Sequence, residues 1–528
     1  DEETARSEEE SGGEEGDHEE SLSEESGDEK GVFEENDDET SFEEGIGAQD
    51  FFKENGFESS EEEREQERRR PVMRTFVLLA ALTLGACASA PFNPPLAKVD
   101  PQAGYRFGKM ETLAREDDVF VMLTFSGGGT RAAALAYGVL QELDATTIAG
   151  NRDMLDTVDV ISSVSGGSFT AAHYAMYGRS GFEDFRRDFL DQPRTQWRLI
   201  LSTLYPQNLF RLLSPRFNRI DHAAEFIDRM LFKNHETFAN IPKTAPFVIL
   251  NATEMDIGTR FEFTQEQFDS ICSDLGKVPI ARGVAASSAF PVLLTPITFR
   301  SYASQGCGYS LGDWFELAKN DRTINPARFR YRNEVAALMD PSRKFLHLID
   351  GGVADNIGLR APIHALRSND TLQMNDGQPV NGFSIQRLIN LNKIRRVVVI
   401  VVNAKTVNLL RNDVRRATPK IPSVLSNSSN TPMGNYSFDS VRLLEQTLAE
   451  INEANEQLRE VNGESWTPVT LQFIEVAFSE LPEDEQAEFN KLGTNYALSK
   501  KQVADLIDAA GRILRNSQTY KDVVKALQ

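Results

Sequence analysis

Cysteine and histidine are scarce in this chain. Its 528 residues include 3 cysteines and 6 histidines, and Cys87, Cys272 and Cys307 stand far apart, with no C-x-x-C or H-x-x-x-H spacing anywhere. Structural zinc sites draw on closely spaced pairs of these ligands, so no zinc module and no structural metal site is expected. Positive charge is not in excess either. The formal net charge is -24, but residues 1–72 hold 30 of the 80 Asp and Glu and only 7 of the 56 Lys and Arg, leaving 50 acids against 49 bases in the remainder. A body so close to neutral has no dominant basic face, and a nucleic-acid partner is not expected. The uncharged apolar run 75–84 is too short to cross a bilayer, which needs ~20 residues. What is present is ordinary for a folded chain, with 40% hydrophobic and 26% charged residues.

The front of the chain is acidic. Runs such as Glu8-Glu9-Glu10 and Glu61-Glu62-Glu63, interleaved with Gly and Ser, cannot bury enough apolar surface to offset the entropy of ordering, so residues 1–72 read as a disordered extension. Phe51-Phe52 is its only apolar knot. Met73, the first methionine, opens a different pattern: Arg74, the apolar run 75–84, then the small residues Gly85-Ala86-Cys87-Ala88-Ser89-Ala90. This is the three-part layout of a secretory signal over 73–90. Leu84-Gly85-Ala86-Cys87 resembles the lipobox of bacterial lipoproteins, which implies acylation of Cys87. Ala88 and Ser89 behind it imply an outer-membrane lipoprotein facing the periplasm. A signal works only at an N-terminus, so residues 1–72 are expected to lie outside the functional product; a genuine acidic tail would instead mean a cytosolic protein. Residues 91–114 read as a linker.

From 115 to 528 the pattern is strand, turn, helix. Val119–Phe125 is a continuous β-favouring run, as expected of a strand buried on both faces, and an Ala-rich helix follows over 131–144. A second strand, Val158–Val164, runs into a helix over 169–178. Further strands are read at 247–251, 345–349, 397–402 and 471–476. Alternation of this kind predicts a three-layer α/β/α sandwich around a mostly parallel sheet. A helical insert is expected over about 183–240, a loop over 418–435 and a closing helical region over about 436–528.

Three strand-to-turn sites carry chemistry. Gly127-Gly128-Gly129 after the first strand leaves consecutive N–H groups free to converge at a helix start, a nest that suits a nucleotide phosphate or the oxyanion of acyl transfer. Neither phosphate-loop pattern, G-K-[ST] or G-x-G-x-x-G, follows it. Ser163-Val164-Ser165-Gly166-Gly167 places a serine at a sharp strand-to-helix turn, the layout of a nucleophile elbow, with Ser163 where G-x-S-x-G has its first glycine. A plain serine helix cap is the alternative there. Leu348-Ile349-Asp350-Gly351-Gly352-Val353-Ala354-Asp355-Asn356 ends an apolar strand on an acid at the carboxyl edge of the sheet, where open α/β folds keep their ligands.

SGGGTRAAALAYGVLQEL, then S-x-S-x-G, then DGGVADNIG, in this order, resemble the patatin-like phospholipases. The resemblance extends to Asn251-Ala252-Thr253 and to Val284-Ala285-Ala286-Ser287-Ser288-Ala289-Phe290-Pro291. It implies a serine acyl-ester hydrolase of phospholipids or related lipids, of phospholipase A or lysophospholipase type, working through a Ser165–Asp350 dyad without histidine or cofactor. It also implies an oxyanion hole from Gly127, Gly128 and Gly129, joined by Gly166. Arg131 would steady the glycine loop or meet a lipid phosphate. Two rivals remain: an α/β-hydrolase with a Ser165–Asp350–His364 triad, and a catalytically silent lipid-binding scaffold.

Between 193 and 219 there is no acid, and Arg194, Arg198, Arg211, Arg216 and Arg219 lie among Trp197, Leu201, Leu204, Tyr205, Leu209 and other apolar residues. Such a stretch suits an anionic membrane surface, or equally a pair of helices packed on the core. No protein partner is legible. Export would carry Cys272 and Cys307 into an oxidising compartment, where a bridge becomes available to them.

Overall fold

The computed structural model describes residues 92–114, 118–233, 235–291, 294–311, 313–323, 326–367, 374–375, 378–379, 394–406, 418, 421–462 and 469–528. All of them belong to the larger of two compact units, Arg74–Gln528. The acidic extension 1–72, the signal 73–90 and its Cys87 lie outside the described residues.

Eight strands form the main sheet: β1 Val119–Phe125, β2 Val158–Val164, β3 Phe247–Glu254, β4 Thr259–Glu262, β5 Ile297–Arg300, β6 Phe345–Asp350, β7 Arg396–Asn403 and β8 Thr470–Ala477. Their order is β8-β7-β1-β2-β3-β6-β5, with β4 paired to β3. The five from β8 to β3 are parallel. Every residue of β1, β2 and β3 is buried, which is why these strands read as unbroken apolar runs rather than alternating ones. The register brings their ends level: Phe125 lies opposite Ser163, and Val164 opposite Asn251.

The edge departs from a simple parallel reading. β6 runs antiparallel to β3, and only its last three residues pair with it, Asp350 opposite Ala252. The strand comes in from beyond the sheet, so its C-terminus arrives at the same edge as the ends of β1 and β2. β4 and β5 were not read from the sequence; each is four residues long and half-buried by alternation, too short a signal against its flanking turns.

Helices α1 Gly129–Ala145 and α2 Gly166–Tyr177 follow β1 and β2 directly, starting two to three residues earlier than the sequence suggests because the glycines themselves take helical positions. The insert contains α3 Thr195–Thr203, α4 Pro206–Arg211 and α5 Arg219–Leu231, the last opened by an Asn218 capping box with Asp221. α6 Ile280–Ser287 precedes the segment that meets the site. α7 Ile421–Asn462, α8 Lys500–Asn516 and α9 Gln518–Leu527 close the fold, α8 packing along α1 and α9 against β8.

Two sequence expectations are corrected. Residues 418–435 are not a loop: α7 starts at Ile421 and runs through Pro432. Pro422 sits in the first turn, where a missing N–H costs nothing, and the buried stripe Met433, Ser437, Ser440, Leu444 and Leu448 supplies the packing that outweighs Pro432. Residues 92–114 are not a free linker. Tyr105 stacks on Phe247 at 4.9 Å, Arg106 pairs with Asp269 at 2.6 Å, and Asn93 bonds Ser273 and the carbonyl of Arg300. The apolar side chains of Tyr105, Phe107 and Met110 join the core, and that burial holds the strap down.

Candidate active site

Three turns at the carboxyl edge build the site. The first leaves β1. Ser126 Oγ accepts the N–H of Ala404 at 2.8 Å, and the chain then passes through Gly127 and Gly128 into α1. Gly127 was expected in the oxyanion hole, but its N–H donates to the carbonyl of Asn356 at 2.9 Å. Tying the glycine loop to the turn beyond Asp350 uses that donor up, and the structure removes Gly127 from the hole. Gly128 and Gly129, at φ 143° and 60°, keep N–H groups with no acceptor among the described residues. A side chain at these φ values is strained, so the loop depends on glycine.

Arg131 does not face a ligand. It is buried, with Nε donating to the Ala404 carbonyl at 2.9 Å, Nη1 to the Leu492 carbonyl and Nη2 to Thr494 Oγ1 at 3.4 Å. Of its two expected roles these contacts favour loop support, with three of its N–H donors going to protein oxygens. Burial pushes its pKa down to about 10, so it still carries its charge at neutral pH.

The second turn leaves β2. Ser165 sits at φ 49°, a left-handed conformation that a serine holds only when its surroundings enforce it. The enforcing contacts are specific. Ser287 Oγ accepts the Ser165 N–H at 2.9 Å and donates to the Asn251 carbonyl at 2.6 Å, while Ser168 Oγ meets Ser287 Oγ at 2.8 Å and donates to Ser163 Oγ at 3.1 Å. Ser163, the departure from the elbow pattern, is thus part of a hydroxyl chain under the nucleophile. Gly166 is required by close approach: a Cβ there would stand 2.1 Å from the Gly129 carbonyl oxygen and 2.7 Å from Gly129 N. The two turns touch, which sets the Gly129 and Gly166 amides beside Ser165. The Gly166 N–H also has no acceptor among the described residues.

The third turn ends β6. Asp350 Oδ2 accepts the Ser165 hydroxyl at 2.8 Å, and Oδ1 accepts the Gly352 N–H at 2.8 Å. Thr253 Oγ1 donates to the Asp350 carbonyl at 2.9 Å, fixing the turn from β3. The carboxyl is only 2% exposed. Burial pushes its pKa up to about 6, against the opposing pull of the two hydrogen bonds. An acid that would ionise near 4 in water is thereby tuned towards a useful general base.

The described histidines stand elsewhere. A triad requires an imidazole between serine and acid, and the direct Ser165–Asp350 bond leaves it no place. His364 lies against the Tyr331 ring, tilted, at 5.0 Å between centroids, with burial and Arg260 pushing its pKa down to about 4. His173 lies among Tyr177 and Phe185, and His347 bonds Thr298.

Sequence reasoning missed Tyr496. Its ring lies 5.4 Å from Phe169 on α2 and 6.1 Å from Phe189, and burial together with the nearby Asp350 charge pushes its phenol pKa up. The preceding residue also braces the glycine loop, since Asn495 O accepts the Thr130 N–H at 3.0 Å. No motif marks the stretch 492–496, and only folding brings it to the site.

A family model described as patatin-like phospholipase matches residues 123–363. That match covers less than half of the chain, and the glycine loop, Ser165 and Asp350 all fall inside it. No curated protein matches the chain. Among solved structures, a human GIVD cytosolic phospholipase A2 is 12% identical with a TM-score of 0.41, aligned over 80% of this chain and 65% of that one. VipD from Legionella pneumophila is 11% identical with a TM-score of 0.25, over 81% and 73% of the two chains. A chain from the SpcU–ExoU complex of Pseudomonas aeruginosa is 14% identical with a TM-score of 0.21, over 82% and 91%. The present chain spans about 65% of the length of the human enzyme.

Proposed function

We propose that this protein is a serine acyl hydrolase that cleaves phospholipids or related acyl-ester lipids through a Ser165–Asp350 dyad. The 2.8 Å bond between the Ser165 hydroxyl and a buried carboxylate carries this reading. In the first half-reaction the Ser165 proton moves to Asp350 Oδ2 as Oγ attacks the ester carbonyl carbon. The carbonyl oxygen takes up the negative charge and faces the free N–H groups of Gly128, Gly129 and Gly166. Donors held in place this way are worth on the order of 10²–10³ in rate each. Collapse breaks the ester C–O bond, and Asp350 returns its proton to the departing alcohol, leaving Ser165 acylated. Water then gives a proton to Asp350 and attacks the acyl carbon, and the released serine oxygen takes that proton back as the fatty acid leaves.

The test is direct. The purified chain should hydrolyse a short-chain chromogenic ester and release fatty acid from phospholipid or lysophospholipid. Inactivity on both in a folded sample would favour a silent lipid-binding scaffold. His364→Ala should keep activity within about tenfold, since a packing contact remote from the dyad accounts for at most ~1.4 kcal/mol of barrier. A loss there as deep as that of Ser165→Ala, in folded protein, would restore the triad reading.

We further propose export as a lipoprotein acylated at Cys87. The lipobox-like 84–87 motif supports this, and so does the Cys272–Cys307 disulfide, a bond that persists in oxidising compartments. The bridge flanks the strap, with Leu96 N–H donating to the Cys272 carbonyl and Val99 N–H to that of Cys307. Closing its 35-residue separation restricts the unfolded chain by about 4 kcal/mol in the chain-entropy model. Thiol titration of the native chain should find Cys272 and Cys307 unreactive, and the Cys272→Ser/Cys307→Ser variant should melt markedly lower. Two freely titrating thiols in the native protein would contradict the bridge. Mass spectrometry of host-expressed protein that finds Cys87 unmodified, behind an intact Met73, would contradict the lipoprotein.

A further inference from the structure

In α3 most of the large apolar side chains point away from the protein, while Leu199 packs against the core. Trp197, Leu201 and Leu204 are 61%, 55% and 63% exposed, and with Ile200 they form one stripe at helical spacing. Polar side chains occupy much of the inward face: Thr195 is buried, and Ser202 Oγ meets His222 Nε2 at 2.7 Å. Tyr205, Leu209 and Leu213, spaced by four along α4 and its end, continue the exposed surface. Helices packed on a core show the reverse arrangement, so core packing does not account for this stripe. Large apolar side chains held together in water mark a contact surface, because each would gain on the order of 1.5–3 kcal/mol from burial.

The charges around the stripe are of one sign. Arg211 is paired with Glu225, but Arg194, Arg198, Arg216 and Arg219 are exposed and form no ion pair with a described residue. No acid lies between 193 and 219 to balance them. The inner side of α3 reaches the catalytic site through a two-way link. Gln196 N–H donates to the Tyr496 carbonyl at 3.1 Å, and Tyr496 N–H donates to Gln196 Oε1 at 3.3 Å.

We propose that α3 and α4 form a docking surface for an anionic lipid bilayer, which seats the protein with the Tyr496 side of the dyad next to the membrane. The inference rests on the lipid hydrolase reading and adds which surface meets the substrate and how it is joined to the site. An apolar stripe with Trp and Tyr, rimmed by unpaired arginines, matches a surface that is greasy inside and negative at its headgroups. A second copy of this chain would bring four more unpaired arginines to the same seam.

The full chain carrying Cys87→Ser, which removes any acyl anchor, should co-sediment with phosphatidylglycerol-containing vesicles. It should do so weakly with pure phosphatidylcholine vesicles, and 0.5 M salt should release much of the bound protein, the approximate concentration being chosen to shorten the screening length to a few ångströms. Leu201→Glu/Leu204→Glu on that background should lose vesicle binding and at least about tenfold of its hydrolysis of vesicle phospholipid, a barrier rise of ~1.4 kcal/mol, while soluble short-chain ester hydrolysis stays unchanged. Arg194→Glu/Arg198→Glu should weaken binding to the anionic vesicles alone. Ser165→Ala should bind vesicles as well as its parent, so a failure of the hydrolase reading would appear as absent ester turnover with vesicle binding intact. Unchanged vesicle binding in the leucine variant would overturn the proposal. So would a dimer seen by sedimentation that the leucine variant dissociates without any change in vesicle binding, because the stripe would then belong to a second copy.

Discussion

Ser165→Ala and Asp350→Asn are each expected to remove nearly all ester hydrolysis, a loss of three or more orders of magnitude, while circular dichroism and melting remain those of a folded protein. On the proposed mechanism the two side chains act as one unit, the proton that leaves Ser165 Oγ passing to the carboxylate 2.8 Å away. The double variant should therefore be little worse than either single one. Residual rate above water would come from the Gly128, Gly129 and Gly166 amides and from binding, neither of which the substitutions touch. Multiplicative losses in the double variant would mean that Ser165 and Asp350 act in separate steps, and the dyad would have to be abandoned.

The second large effect concerns pH, and it couples activity to stability. Because burial holds Asp350 protonated up to about pH 6, kcat/KM should fall about tenfold per pH unit below that value. The same shift works against the fold. A carboxyl whose pKa is raised in the native state binds its proton more tightly folded than unfolded. Its contribution is harmless below the unfolded value of 3.8, and stability is lost as pH rises from there through about 6. At pH 7.5 the ionised, buried carboxylate should cost on the order of 2–3 kcal/mol. Asp350→Asn, which keeps the shape and an oxygen for the Gly352 N–H, should therefore be more stable than the parent at pH 7.5, with the difference closing by about pH 4. An asparagine variant no more stable than its parent at pH 7.5 would show that the carboxylate is solvated or otherwise compensated. A similar reserve of strain lies in Ser165, whose positive φ is held by Ser287 and the hydroxyl chain beneath it. A site built from strained and desolvated groups gives up stability for reactivity.

Much of this protein is determined by local sequence. β1 and β2 are legible because strands buried on both faces must be apolar throughout, and α1 and α2 because the turns before them are marked by glycine and serine. Ser165 and Asp350 are legible for the same reason: each sits where an apolar run stops at a tight turn. Tertiary structure alone decides the rest. That β6 enters against its neighbours and overlaps β3 by three residues cannot be read from FLHLID, because strand direction depends on the chain between strands and not on the strand itself. Without that stagger Asp350 would not meet Ser165. Whether Gly127 offers its N–H to a ligand depends on Asn356, 229 positions away in a contact that no spacing rule contains. Pro432 reads as a breaker until the buried stripe of α7 is seen to outweigh it. The amphipathic stretch 193–219 has the same composition whether its apolar side faces the core or the solvent, since periodicity fixes a stripe but not its direction. Only the packed fold, with Gln196 turned inward to Tyr496 and Trp197 turned out, sets which way that stripe points.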